Sequence, residues 1–140
     1  MADNRTKEQR SYNMSRIRST NTKPELLVRK YLFNQGFRYR LHSKNLIGKP
    51  DIVLPKHNAV VFVHGCFWHG HTNCKSAKVP VSNKSFWVNK IEKNKERDKR
   101  NLRLLKKIGW KVFILWECQL VKNKGEKTLY ILAQKLLNKH

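Results

Sequence analysis

The spacing Cys66-x4-His71-x2-Cys74, joined by a distant Cys118, is the strongest constraint on how this chain can fold. Three thiolates and one imidazole make the Cys3His donor set of a closed, tetrahedral structural zinc site, with no position left open for chemistry. Three cysteines are an odd number and cannot all close into intramolecular disulfides, so metal binding is the next reading. His71 completes the set by this spacing, while His64 and His69 stand close enough to be alternatives. Zinc held this way ties the stretch around Cys66 to the residues around Cys118. Structural zinc contributes apparent binding energies of about 10–16 kcal/mol, enough to order a loop that has no core of its own.

Around that cluster the chain reads as one domain. Residues 1–20 are polar and basic, with Met14 and Ile17 as apolar points, and read as an arm or short helix ahead of a domain over 21–140. Pro24 and Glu25 suit the first turn of a helix over about Pro24–Gln35, with Leu27, Val28, Tyr31 and Leu32 at helical spacing and Gly36 as its stop. Phe37–Leu41 alternates as a half-buried strand does, and Asp51–Leu54 follows the turn Gly48-Lys49-Pro50 as a second strand. Ala59–Val63 is a third strand, buried on both faces by its composition. Residues 65–82 have no period and read as an irregular loop. Ser85–Ile108 is a long helix with Val88, Ile91, Leu102, Leu105 and Ile108 inward, closed by Gly109. Trp110–Trp116 is a fourth strand and Leu129–Leu137 a last helix. The order α-β-β-β-α-β-α predicts an α/β domain with a central mixed four-stranded sheet flanked by helices.

Charge supplies the partner. Lys and Arg number 31 against 9 Asp and Glu, a formal charge of +22. Self-repulsion of that size needs a polyanion, and nucleic-acid phosphates are the usual one. A membrane is the weaker alternative, because no apolar run approaches the roughly 18 residues of a spanning helix, and Met1–Arg5 does not lead into a signal peptide. The expected location is the cytoplasm, at the nucleoid. Composition alone fits a ribosomal or DNA-packing protein equally well.

A phosphodiester hydrolase needs a hard cation on oxygen ligands and a base for the attacking water. Asp51 can supply a carboxylate, and the main-chain carbonyl of Val63 a second oxygen if the second and third strands pair antiparallel. Histidine has a reference pKa of about 6.5, and His69 is the candidate general base near neutrality. Phe67-Trp68 in a Gly-flanked loop and Trp87 at the start of the long helix are candidate wedges into a base stack, a use that costs a few kcal/mol per step and less at a mismatch. Arg16, Arg18, Lys90, Lys93 and Arg97 are candidate phosphate contacts.

Arg10-Ser11-x-Asn13-Met14, Pro24-Glu25, Gly48-x-Pro50-Asp51, Phe62-x-His64-Gly65-Cys66-Phe67-Trp68-His69, Phe86-Trp87, Glu96-Arg97-Asp98 and Trp116-Glu117-Cys118 together resemble the very-short-patch repair endonucleases, a branch of the PD-(D/E)XK nucleases. The resemblance covers about residues 8–120, and His64 to His69 is its most specific part. It implies a DNA nickase that cuts 5′ to the thymine of a T·G mismatch left by deamination of 5-methylcytosine. It implies that Asp51 and the carbonyl of Val63 hold magnesium, that His69 activates water with Glu25 and His64 assisting, and that Cys66, His71, Cys74 and Cys118 hold zinc. Phe67, Trp68 and Trp87 would enter the stack beside the mismatch, with Met14 approaching from the arm. Double-stranded mismatched DNA is the implied partner, with general mismatch-repair proteins as further ones. A monomer suffices for a nick in one strand. The pattern departs from the family at Val63, where threonine is usual, and in a loop one residue longer between His69 and Cys74. A zinc-stapled DNA-binding module without catalysis and an unselective nuclease of the same fold are the competing readings.

Overall fold

The computed structural model describes residues 22–121 and 124–138. The arm over 1–20, with Met14, Arg16 and Arg18, lies outside the described residues. Helix α1 spans Lys23–Asn34, β1 Arg40–Leu41, β2 Ile52–Leu54, β3 Ala59–His64, α2 Lys84–Lys107, β4 Lys111–Trp116 and α3 Lys124–Leu137. Strand order in the sheet is β1-β2-β3-β4. The pairs β1/β2 and β2/β3 are antiparallel, and β3/β4 is parallel across the α2 crossover. The fold is therefore the expected α/β domain with a mixed four-stranded sheet and helices on both faces.

The helix stops work as the glycines predict. Gly36 takes φ +93° and Gly109 φ +105°. After α1, Gly36 N–H donates to the Phe33 carbonyl and Phe37 N–H to that of Leu32; after α2, Gly109 N–H donates to Lys106 and Trp110 N–H to Leu105. Both are Schellman closures, which need a residue in the left-handed region just past the helix. They also explain two corrections. Phe37 and Trp110, expected as the first residues of strands, have their N–H groups bonded back to the helices, so β1 begins only at Arg40 and β4 at Lys111. The last helix begins five residues before the expected Leu129, at Lys124, through a polar first turn that carries no apolar period.

The period-two alternation of the central strands divides the core. Ile52, Leu54, Ala59 and Val61 pack with Val28 and Leu32 of α1 and Leu129, Leu132 and Leu136 of α3. Val53, Val60 and Phe62 face the other way, against Leu105 of α2. Strand β3 is buried on both faces, as its composition implied. The inward face of α2 is shorter than expected: Ile91 and Leu105 are buried, but Val88 and Ile108 are exposed. A 24-residue helix is about 36 Å long and a six-residue strand about 20 Å, so both ends of the helix overhang the sheet. None of the described helices is long and apolar enough to cross a membrane.

Candidate active site and metal cluster

The antiparallel register Ile52↔Val61 sets Asp51, the residue before β2, against the C-terminal end of β3. Val63 N–H donates to Asp51 Oδ2 at 2.7 Å. A cleft of about 380 Å3 opens at this end of the sheet, lined among others by Asp51, Val63, His64, His69, Arg97 and Asp98. Clefts at the carboxyl ends of strands are where α/β sheets usually bind ligands. The structure thus brings Asp51, Val63, His64 and His69 to one place.

Two carboxylates meet behind the cleft. Glu25, expected to suit the start of α1, does lie in its first turn, where its N–H donates to the Thr22 hydroxyl at 3.3 Å. Its side chain, however, is turned inward and is 2 % exposed. Arg29 donates to Glu25 Oε2 at 3.1 Å, and His42 Nε2 lies 3.0 and 2.9 Å from its two oxygens. Burial pushes the Asp51 carboxyl up to about 6, with Glu25 adding to the rise and the Val63 N–H opposing it. A crowded pair of carboxylates with one member raised by burial is a setting that a bound cation relieves, so the residues fit a divalent ion on oxygen ligands.

The other side of the cleft is imidazole. His69 Nδ1 stands 2.6 Å from Asp98 Oδ2, an aspartate on α2. A carboxylate accepts from Nδ1–H, which leaves Nε2 of His69 as the basic nitrogen. Burial alone would raise the Asp98 carboxyl, but the hydrogen bond and charge of His69 hold it below its ordinary value. The His64 ring lies flat on that of His69, centroids 3.8 Å apart and planes within 3°. Parallel rings cannot aim in-plane lone pairs at a common ion, so these two histidines form a stacked pair in this geometry. His64 Nδ1 is buried without a hydrogen-bond partner. Burial, reinforced by His69, pushes the His64 imidazole down to about 4.

These two shifts oppose each other in stability. His64 is harder to protonate in the folded state, so its contribution is full above pH 6.5 and is lost as pH falls towards 4, by roughly 3 kcal/mol. Asp51 is easier to protonate when folded, so stability is gained as pH falls through about 6 towards 3.8. In metal-free protein the two nearly cancel. Asp51→Asn is therefore expected to show a steep loss of Tm between pH 6.5 and 4, and His64→Phe a rise over the lower part of that range. A wild-type pH profile shared by both variants would refute these assignments.

The second cluster lies beyond the ends of the parallel strands. The β3/β4 register, from Ala59↔Lys111 to His64↔Trp116, when carried two residues further sets Cys66 opposite Cys118. Cys66, His71, Cys74 and Cys118 have ligand atoms all within 4.8 Å of one another. His71 joins the thiols, with Nδ1 3.4 Å from Cys118 Sγ, while His64 and His69 are placed in the cleft. Tetrahedral zinc bonds of about 2.0–2.3 Å require only slightly closer approach. Burial and the neighbouring thiols push the Cys66 thiol up to about 12, as expected of packed sulfurs without a cation. Cys66 N–H donates to Glu117 Oε1 at 3.2 Å, and His71 stacks on Trp116 at 4.1 Å. The cluster fits a structural metal ion.

The loop between the two sites carries rings. Phe67, Trp68 and Trp87 stand with centroids 5.1–5.9 Å apart, all half-buried. Asn94 of α2 donates to the Trp68 carbonyl at 3.0 Å. A Cβ at Gly70, where φ is +61°, would lie 2.7 Å from Ile91 and Lys95, so this glycine lets the loop close onto α2. Phe86 adds a fourth ring, 5.1 Å from Trp87 and 58 % exposed. Lys90, Lys93 and Arg97 are exposed along the same helix. Sequence reasoning gave no role to His42, Asp98, Asn94 or Phe86. Asp98 and Phe86 stood inside stretches that carry the resemblance, whereas nothing in the sequence marked His42.

Comparison with known proteins identifies the family of the chain. Residues 2–76 match the Vsr family, described as DNA mismatch endonuclease Vsr. The chain is 56% identical over 125 residues to the type II nicking enzyme V.NmeAIP of Neisseria meningitidis serogroup A, covering 89% of this chain and 88% of that protein. It is 48% identical over 120 residues to the type II nicking enzyme V.XorIIP of Xanthomonas oryzae, covering 86% of this chain and 88% of that protein. It is 43% identical over 120 residues to the DNA mismatch endonuclease Vsr of Escherichia coli, covering 86% of this chain and 76% of that protein. With a mixed four-stranded sheet flanked by helices, a carboxylate–histidine cleft and a Cys3His cluster in one chain, this protein belongs to the Vsr family of DNA mismatch endonucleases.

Proposed function

We propose that the chain nicks one strand of duplex DNA on the 5′ side of the thymine in a T·G mismatch, by magnesium-dependent hydrolysis. The observation that carries this reading is the cleft itself, which Asp51 and the His69–Asp98 pair line together. Asp51 and the carbonyl of Val63 are the residues that would hold magnesium, with Glu25 behind them. When bound there, such an ion supplies Lewis-acid polarisation of the scissile phosphate and neutralises charge on the leaving oxygen. His69 takes a proton from water at Nε2, and Asp98 holds its ring in the required tautomer and stabilises the imidazolium. His64 acts as a neutral, flat support that fixes the His69 plane. Cys66, His71, Cys74 and Cys118 would hold zinc and keep the ring-bearing loop stiff.

The half-buried Phe67, Trp68 and Trp87 offer faces for insertion into the base stack. Unstacking costs less at a mismatched step, and a difference of about 2 kcal/mol is worth roughly 30-fold in rate. Lys90, Lys93 and Arg97, with Arg16, Arg18 and Met14 from the arm, are proposed to grip the backbone without reading sequence. Affinity then falls with salt by a log–log slope of about −0.9 per phosphate neutralised.

The test is a nicking assay with magnesium on T·G and matched duplexes of one sequence. Cutting of one strand of the mismatched duplex, at least about 30-fold faster than the matched one, is expected. Equal cutting of both duplexes would point to an unselective nuclease, and no cutting of either to a binding module.

A further inference from the structure

We propose that His42 is a positioning residue that holds the Glu25–Asp51 carboxylate pair in register for cation binding. The inference rests on the nuclease reading above. His42 follows β1 and adopts φ +47°, a left-handed conformation that costs a non-glycine residue energy. Its backbone N–H donates to the Asp51 carbonyl at 3.0 Å. Its Nε2 lies 3.0 Å from Glu25 Oε1 and 2.9 Å from Oε2, so a single N–H there points between both oxygens. One residue therefore ties together the two segments that carry the carboxylates, the main chain gripping one and the ring the other.

The strained backbone makes both contacts available at once. Glycine would take this φ without penalty, yet glycine could reach only the Asp51 main chain and would remove the ring contact to both Glu25 oxygens. Glu25 is almost wholly buried, and its orientation decides how its carboxylate faces Asp51. Groups that orient carboxylates around a cation typically carry about 10–100-fold in metal affinity or activity.

The test compares His42→Gly, His42→Gln and Asp51→Ala in the zinc-filled, full-length protein. In His42→Gly the half-saturating magnesium concentration for nicking a T·G duplex is expected to rise about tenfold or more, with kcat reduced and KM for DNA unchanged. Equilibrium dialysis with Mn2+ as the probe is expected to show the same loss of affinity without any need for turnover. The Tm of His42→Gly is expected to stay within a few degrees of wild type, because relief of the left-handed backbone offsets the lost contact. His42→Gln, which retains an N–H donor of similar reach, is expected to recover most of the cation affinity. Unchanged cation affinity in His42→Gly would overturn the proposal, and so would a loss that glutamine does not recover. If the wild type cuts neither duplex, the nuclease reading fails first, and if Asp51→Ala cuts normally, the assignment of the cation to Asp51 fails. If Asp51→Ala is silent while His42→Gly is normal, only the role of His42 is lost.

Discussion

Asp51→Ala is expected to lower the nicking rate by at least about 10^3-fold, while DNA binding without turnover stays within a few-fold of wild type. Among the described residues that line the cleft, Asp51 and Asp98 are the carboxylates, and Asp98 is engaged by His69 at 2.6 Å. Removing Asp51 therefore takes away the main anionic ligand available to a cation beside the β3 end. A thousandfold loss corresponds to about 4 kcal/mol of transition-state stabilisation, within what a bound metal ion supplies. Binding is expected to be spared because the protein carries +22 formal charges and the phosphate contacts proposed for Lys90 and Lys93 do not involve Asp51. Alanine also strands the Val63 N–H that Asp51 accepts at 2.7 Å, at a cost of about 1–3 kcal/mol. Asp51→Asn keeps an acceptor for that N–H and removes the charge, so it separates packing from chemistry. Single-turnover cleavage of a T·G duplex is the measurement. A normal rate in Asp51→Asn would show that the cation is held by other groups.

What could be read from the sequence follows the range of the forces involved. Helix stops at Gly36 and Gly109 depend on a few neighbouring residues, and the strand over Ala59–Val63 on a continuous apolar run, so both were legible. The element order was legible for the same reason. The first turn of α3 was not, because Lys124–Thr128 has no apolar period and Gly125 is placed by close approach to the Leu120 backbone. At the site, Asp51 and His69 could be named from chemistry, yet the Asp98 contact reaches across 29 residues and exists only once α2 has docked. His42 was harder still. Its position depends on a left-handed turn, and the resemblance that implied a role for Glu25 gave no sign of its contact with His42, which forms only once the helix is packed against the sheet. Choosing among His64, His69 and His71 for the metal cluster required the parallel register, which aligns Cys66 with Cys118 and leaves the other two histidines in the cleft.

That register also sets the second large effect. Cys118→Ala is expected to reduce bound zinc from one equivalent to none and to lower Tm by more than about 10 °C. The loop from Cys66 to Ser82 carries two buried anchors of different kinds: the Cys66 side chain at the strand end and the docking of Gly70 against Ile91. Neither belongs to the larger core, which is made by α1, α3 and the opposite face of the sheet. Without metal, three thiols and an imidazole crowd together with little apolar gain, and the loop has no reason to stay closed. Apparent zinc binding energies of about 10–16 kcal/mol exceed what a domain this size can lose and remain folded, so the loop is expected to open before the sheet does. A loss of about 4 kcal/mol already shifts Tm by roughly 10–16 °C at this chain length. Opening would free Trp68 from Asn94 and part His69 from Asp98, so nicking should fall along with zinc content. Limited proteolysis should cut within 65–82, while far-UV circular dichroism of the remainder is largely kept. Zinc stoichiometry that does not change in Cys118→Ala would remove Cys118 from the cluster. Zinc lost with loop protection intact would show that packing against α2, and not the metal, holds the ring-bearing loop in place.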